Sequence, residues 1–170
     1  DKAESRGLGD VYKRQGTYAS AIGNGTTASG DVSTAMGFQS TATANFSTAM
    51  GRSTTASGEY STAMGYGTEA SGGISTAMGD NTTASDYASL VIGQYNSSGS
   101  SVTNSATSFS TSNTAFVIGN GTDPSNKSDA FKVMFNGDAY ISSSLYIGGT
   151  AITASAAEIN LSLIHISEPT

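Results

Sequence analysis

The sequence predicts an all-β solenoid in which fourteen residues make one coil and each coil stacks on a near-copy of itself. Three observations carry this. The pentapeptide STAMG is spelled identically at residues 33–37, 47–51, 61–65 and 75–79, and glycines keep the same step at Gly23, Gly37, Gly51, Gly65, Gly79 and Gly93. Apolar residues also form columns fourteen apart: Ile22, Met36, Met50, Met64, Met78 and Ile92 in one, Tyr18, Val32, Phe46, Tyr60 and Ile74 in another. Finally, only 36% of the 170 residues are hydrophobic and none is Trp, which argues against one conventional core. Charged residues make up 12%, too few for charge-driven disorder.

The two ends stand apart from this pattern. Residues 6–15 read RGLGDVYKRQ and residues 161–170 read LSLIHISEPT; one DNA string encodes the first, and its reverse complement encodes the second, at all ten positions. The pair resembles a translated transposase adapter from short-read sequencing libraries. Residues 1–15 and 161–170 are therefore expected to be adapter-derived and not native, and are set aside as a fusion scar would be. The only histidine, His165, goes with them. Between the ends, Arg52, Lys127 and Lys132 face nine carboxylates, so residues 16–160 keep the net charge of −6 that the whole chain has. That sign disfavours nucleic acid as a partner.

Within residues 16–93, a copy such as Tyr60-Ser61-Thr62-Ala63-Met64 alternates, and as a strand it puts Tyr60, Thr62 and Met64 on one side. The other side is small: alanines recur at Ala21, Ala35, Ala49, Ala63 and Ala77, and again at Ala28, Ala42, Ala56, Ala70 and Ala84. A helix competes poorly, because each glycine costs about 1 kcal/mol relative to alanine. The expected coil is two strands of about five residues with two tight turns, and six coils at about 4.8 Å make a stack roughly 25–30 Å long. Turns are expected at the glycines and at pairs such as Asn24-Gly25 and Asp80-Asn81. With one Met and one aromatic, a coil gains little beyond its own ordering entropy, so several chains are expected to share a core, a homotrimer being the economical arrangement.

The S-x-A-[MI]-G spacing, the fourteen-residue period and the T-x-A-S-G link resemble the head repeats of YadA-like trimeric autotransporter adhesins, with a degenerate last copy at residues 86–93. The resemblance implies a left-handed parallel β-roll, three rolls side by side, a cell-surface location and attachment to a host or extracellular-matrix receptor. Thr and Met stand where that family often has Val and Ile, which implies a softer core.

Residues 94–114 lose the period and are expected to be a polar loop or spacer projecting from the stack, with receptor contact as the functional alternative. Residues 115–150 are expected to close the head. Ala115-Phe116-Val117-Ile118-Gly119 resumes the cadence, residues 130–135 and 138–141 alternate around Asn136-Gly137 as a hairpin, and residues 145–149 suggest another short strand. IGNG at 118–121 with SDAFKVMFNGDAYI at 128–141 resembles the closing segment of large bacterial surface proteins and phage tail fibres. Residues 151–160 are expected to start a stalk or shaft, where Ser155-Ala156-Ala157-Glu158 has capping-box spacing; residues 149–160 are similar to linkers in phage fibre proteins.

Little here supports chemistry. Without a histidine between the ends, the Ser and Thr hydroxyls have no evident activating base, so no enzyme and no catalytic residue is expected. The absence of cysteine removes thiol nucleophiles and thiolate metal sites. Glu59 with Glu69, and Asp80 with Asp86, are read as outward-looking surface carboxylates, and Asp80-Asn81 as a turn, so no metal is expected. GNGT at 23–26 and 119–122 lacks the lysine of a phosphate loop, and no cofactor is expected. No stretch is long and apolar enough to span a membrane, so outer-membrane attachment is expected only through a separate anchor domain. The expected function is a non-enzymatic adhesion head. The alternative is a phage tail-fibre segment for host recognition and virion structure.

Overall fold

A computed structural model describes residues 13, 14, 16–154 and 158. Every element bounded in it is a strand. In chain order these are β1 (Lys13–Arg14), β2 (Ser20–Asn24), β3 (Thr27–Ala28), β4 (Thr34–Phe38), β5 (Thr41–Ala42), β6 (Thr48–Arg52), β7 (Thr55–Ala56), β8 (Thr62–Tyr66) and β9 (Glu69–Ala70). There follow β10 (Thr76–Asp80), β11 (Thr83–Ala84), β12 (Leu90–Gln94), β13 (Thr114–Asn120), β14 (Asp129–Met134), β15 (Ala139–Ile141), β16 (Tyr146–Ile147) and β17 (Thr150–Ala151). The chain divides into two compact units, residues 1–140 and residues 141–170.

The first unit is a parallel β-solenoid. Long strands form one sheet in the order β15-β14-β13-β12-β10-β8-β6-β4-β2, and short strands form a second, β1-β3-β5-β7-β9-β11. The register repeats the sequence period: Met50 opposes Met64, Met64 opposes Met78, and Gly65 opposes Gly79. Parallel in-register stacking brings each residue beside its own copy, which is why the columns are so uniform. A coil is less symmetric than its sequence suggests, with one strand of five residues and one of only two. β1 pairs with β3 although it lies in the segment read as adapter-like; a backbone ladder accepts any side chain there.

The core is the small face. Ala35, Ala49, Ala63 and Ala77 from the long strands meet Ala42, Ala56, Ala70 and Ala84 from the short ones, all completely buried, with Ser33, Ser47, Ser61 and Ser75 beside them. The two sheets lie so close that Val91 and Val117 are the largest buried apolar side chains. Ser33 and Ser47 hydroxyls settle their polarity locally, donating to the carbonyls of Gly30 and Ala44 at 2.6 Å. The Met ladder is thereby corrected from core to outer face. A methionine is too long for the gap between the sheets, and alternation then sends it outward.

Gly65 shows why the glycine column is invariant within the chain. It sits inside β8, not in a turn, at φ +124°, and a Cβ there would lie 2.1 Å from the carbonyl oxygen of Gly79. The turns lie elsewhere, and one of them holds the second apolar column: Tyr18, Val32, Phe46, Tyr60 and Ile74 all adopt φ between 55° and 60°. Tyr60 is therefore a left-handed turn residue outside the strand, which corrects its placement beside Thr62 and Met64.

β13 adds a seventh rung to the long-strand sheet, with Ile92 opposite Ile118 and Gly93 opposite Gly119. β14 then turns antiparallel onto β13, and β14 and β15 flank the Asn136-Gly137 turn as a hairpin. In the second unit β16 and β17 form a small antiparallel pair around Gly148 and Gly149, both at positive φ. The capping box cannot be followed, since Ser155, Ala156 and Ala157 lie outside the described residues, as does Ile159.

Candidate functional surface

The long-strand sheet presents one continuous apolar column to the outside. Ile22, Met36, Met50, Met64, Met78, Ile92 and Ile118 follow one another in register, with Ile22 57% and Met36 37% exposed and Met50, Met64, Met78 and Ile92 half-buried. On the same strands Gly23, Gly37, Gly51, Gly65, Gly79 and Gly93 form the adjacent column, all at positive φ. Together they form a surface of side-by-side apolar and glycine columns on the long-strand sheet.

Two further columns flank it. Along the turn edge the rings of Phe46 and Tyr60 stack face to face, 4.7 Å apart and 2° from parallel. Beyond the glycines, Arg52 is held between Phe38 and Tyr66, its guanidinium carbon 5.6 Å and 5.5 Å from their ring centres. Stacking at the interstrand spacing makes both arrangements automatic once like residues occupy consecutive copies.

The excursion at residues 95–113 does not project. It folds back along the last coils, where the amides of Gly73 and Tyr87 donate to the carbonyls of Ala106 and Ser105 at 2.7 and 3.0 Å. Four side chains pin it by imitating backbone. Asp86, completely buried, accepts from the amides of Thr103 (2.6 Å) and Thr114 (2.8 Å). Asn96 accepts from the Thr83 amide and donates to the Thr83 carbonyl, which closes the open edge of β11. Asn113 treats Ser105 the same way, and Asp129 accepts from the amides of Ser97 and Ser98. Phe109 rests edge-on against Phe135 of the hairpin turn, 5.2 Å away.

Asp86 is thus a correction to the reading of Asp80 and Asp86 as paired surface carboxylates. Asp80 is exposed, as are Glu59 and Glu69, but Asp86 is buried. It occupies the place that Gly30, Ala44, Gly58 and Gly72 hold in other coils, where a Cβ built on each glycine would meet the next coil's backbone; here the excursion lies instead and supplies amides. Its partners lie 17 and 28 residues downstream, too far for any local motif to announce them. Among the described residues, no group of three or more His, Asp or Glu is placed to hold a metal ion.

A shallow cleft of about 310 Å³ opens where the excursion meets the turn edge, bordered by Glu59, Tyr60, Tyr87 and Thr107 among others. Asp123 organises a separate turn near β13. Its carboxylate takes bonds from the Asn126 side chain, the Ser125 amide and the Thr122 hydroxyl, which hold it below the usual carboxylate range.

The family described as YadA head domain repeat (2 copies) matches five overlapping stretches, residues 15–40, 33–54, 42–68, 56–73 and 70–96. No curated protein matches the chain. Period, in-register coils and family match coincide on one segment: residues 15–96 are YadA head domain repeats.

Proposed function

We propose that this chain is the head of a trimeric surface adhesin, a non-enzymatic module that attaches a cell to host or extracellular surfaces through many shallow contacts. The observation that carries the reading is the outward Met and Ile ladder. Each coil's interior is already filled by alanine and serine, yet seven apolar side chains in register stand on its outer sheet face. Two more copies packed against that face would cover it and supply the apolar burial that the thin interior lacks. In this reading residues 16–93 form the left-handed head, 94–114 its polar loop, 115–150 the closing segment and 151–160 the start of the stalk. Residues 1–15 and 161–170 are adapter-derived. The head faces the outside of the cell, and outer-membrane anchoring belongs to another part of the parent protein.

Light scattering on the full chain tests the assembly. A trimer is expected, and Met64→Asp, which would bury an unpaired charge in the shared core, is expected to release folded monomers that keep their β spectrum. A wild-type chain that is monomeric and stable would defeat the proposal. The closing hairpin, with its likeness to tail-fibre segments, favours a second reading as a phage fibre; neighbouring baseplate genes in the source DNA would select it.

A further inference from the structure

The chain departs from its own repeat most sharply at one place. The residue after the first of each coil is Thr17, Asp31, Asn45 and Glu59 in four copies, then Gly73 and Tyr87 in the last two. At the same coils the excursion returns, and Ala106 and Thr107 come to rest beside the turn edge. The outcome is the cleft of about 310 Å³, near the lower bound for small-ligand sites. Departures from internal consistency mark where a fold serves something other than itself.

Its lining is specific in character. Tyr60 and Tyr87 supply aromatic surface, Glu59 supplies a carboxylate, and Ser57, Ser71 and Thr107 supply hydroxyls. Tyr60 is 53% exposed, stacked on Phe46 and set at the φ of 58° that this turn imposes in every coil, so its ring is held at the cleft's border. The missing side chain at Gly73 lets the Tyr87 ring lie across the backbone, since a Cβ there would be 3.3 Å from that ring and 3.4 Å from the Ala106 carbonyl. Aromatic and aliphatic surface from Tyr60, Ile74 and Tyr87, a carboxylate that only accepts, and hydroxyls that do both are the chemistry that holds a pyranose: its C–H groups pack on the apolar surface and its hydroxyls donate to the acid. The lining contains no Lys or Arg, and the chain carries a net charge of −6, so an acidic sugar is repelled.

We infer that the cleft between the turn edge at Tyr60 and the excursion at Thr107 is a binding site for a neutral saccharide of one or two pyranose rings. The inference rests on reading the chain as an attachment module and names a ligand class for it.

Saturation-transfer NMR on the full chain, with methyl β-galactopyranoside, methyl N-acetyl-β-glucosaminide and a sialyl glycoside as probes, decides the matter. At least one neutral probe is expected to receive transfer, and the sialyl glycoside less. Glu59→Gln is expected to weaken the neutral probe by about tenfold, the scale of one charge-assisted hydrogen bond. Gly73→Asn puts back the kind of residue the repeat carries there, at an ordinary φ, and is expected to abolish transfer by filling the cleft while the β spectrum stays unchanged. No transfer to either neutral probe, stronger transfer to the sialyl glycoside, or undiminished transfer in Gly73→Asn overturns the assignment. Light scattering on the same samples separates the two readings. An intact trimer that binds no sugar removes the cleft alone; a monomer that binds sugar removes the trimer alone.

Discussion

In the coils of residues 20–94, backbone groups find their partners in the copy fourteen residues away, whereas along residues 95–129 many of the partners are side chains. Ser75 accepts from the Thr62 amide and Ser89 from the Thr76 amide, the same bond one coil on. Beyond Gln94 no such series exists, and Asp86, Asn96, Asn113 and Asp129 each hold a different piece of chain. Repetition spreads stability over many equivalent bonds, so what it cannot tolerate is steric intrusion between copies. The closing region has room for bulk at its hairpin turn, Gly137, but depends on single polar groups.

Two glycines break this comparison most severely. Gly65→Val sets a branched Cβ 2.1 Å from the Gly79 carbonyl oxygen and forces a β-branched residue to φ +124°. Strain and overpacking together are expected to cost about 3–6 kcal/mol, enough to unfold a thin solenoid. Gly137, in the hairpin turn, has a φ of +95° but nothing within 4 Å of the added atom. Gly137→Ala is expected to cost only about 1–2 kcal/mol of backbone strain. Thermal melts by circular dichroism check both. Equal losses would mean that the coils are not packed at the spacing described.

Next in size is Asp86→Ala. It orphans the buried amide of Thr114, at about 1–3 kcal/mol, and frees the amide of the exposed Thr103, which water can reach, so a loss of about 1–3 kcal/mol is expected. The loss should be local. Hydrogen exchange is expected to speed up at Thr103 and Thr114 and stay slow at Thr48 and Thr62, whose partners lie in neighbouring coils. Uniform acceleration along the whole stack would show that closing region and coils unfold as one unit.

The same contrast decides what could be read from the chain. Register was plain from the spacing of Met50, Met64 and Met78, because parallel in-register strands place equal residues side by side. The rung at Thr114–Asn120 was visible in Phe116-Val117-Ile118-Gly119 beside Leu90-Val91-Ile92-Gly93, although 26 residues separate their glycines. Which face points inward was not legible. Alternation separates Ala63 from Met64, but only the distance between the sheets decides which one is covered, and that distance is a property of two turns acting together. Nor was the left-handed turn at Tyr60 legible, since an aromatic residue announces the opposite preference. The cleft was hidden for a third reason: Gly73 and Thr107 become neighbours only through the fold-back of a segment without a period.

A smaller effect, and one of opposite sign, is expected at the turn edge. Val32 is β-branched, 46% exposed and held at φ 55°, where asparagine is several-fold better tolerated. Val32→Asn is expected to stabilise a single folded chain by about 1 kcal/mol, seen as a higher urea midpoint with an unchanged slope. A loss in place of that gain would mean that the valine side chain is buried against another copy. The substitution therefore sharpens the comparison between residues kept for the coil and residues kept for what lies outside it.

The smallest effect belongs to Asp123, which stands for the closing region's reliance on single groups in its mildest form. Bonds from the Asn126 side chain, the Ser125 amide and the Thr122 hydroxyl lower its pKa when folded. A carboxyl depressed in this way contributes stability that is present above its unfolded value and is lost as pH falls through the folded one. The contribution is thus complete above roughly pH 3.9, the ordinary aspartate value, and fades only below it. The turn bridging Asp123 and Asn126 is exposed, so the expected signature is local. The Asn126 side-chain amide resonances should shift in the acid range while the coil amides, held by backbone partners that do not titrate, stay fixed. Asp123→Asn should erase that titration at Asn126 without moving the melting temperature, because no coil depends on it.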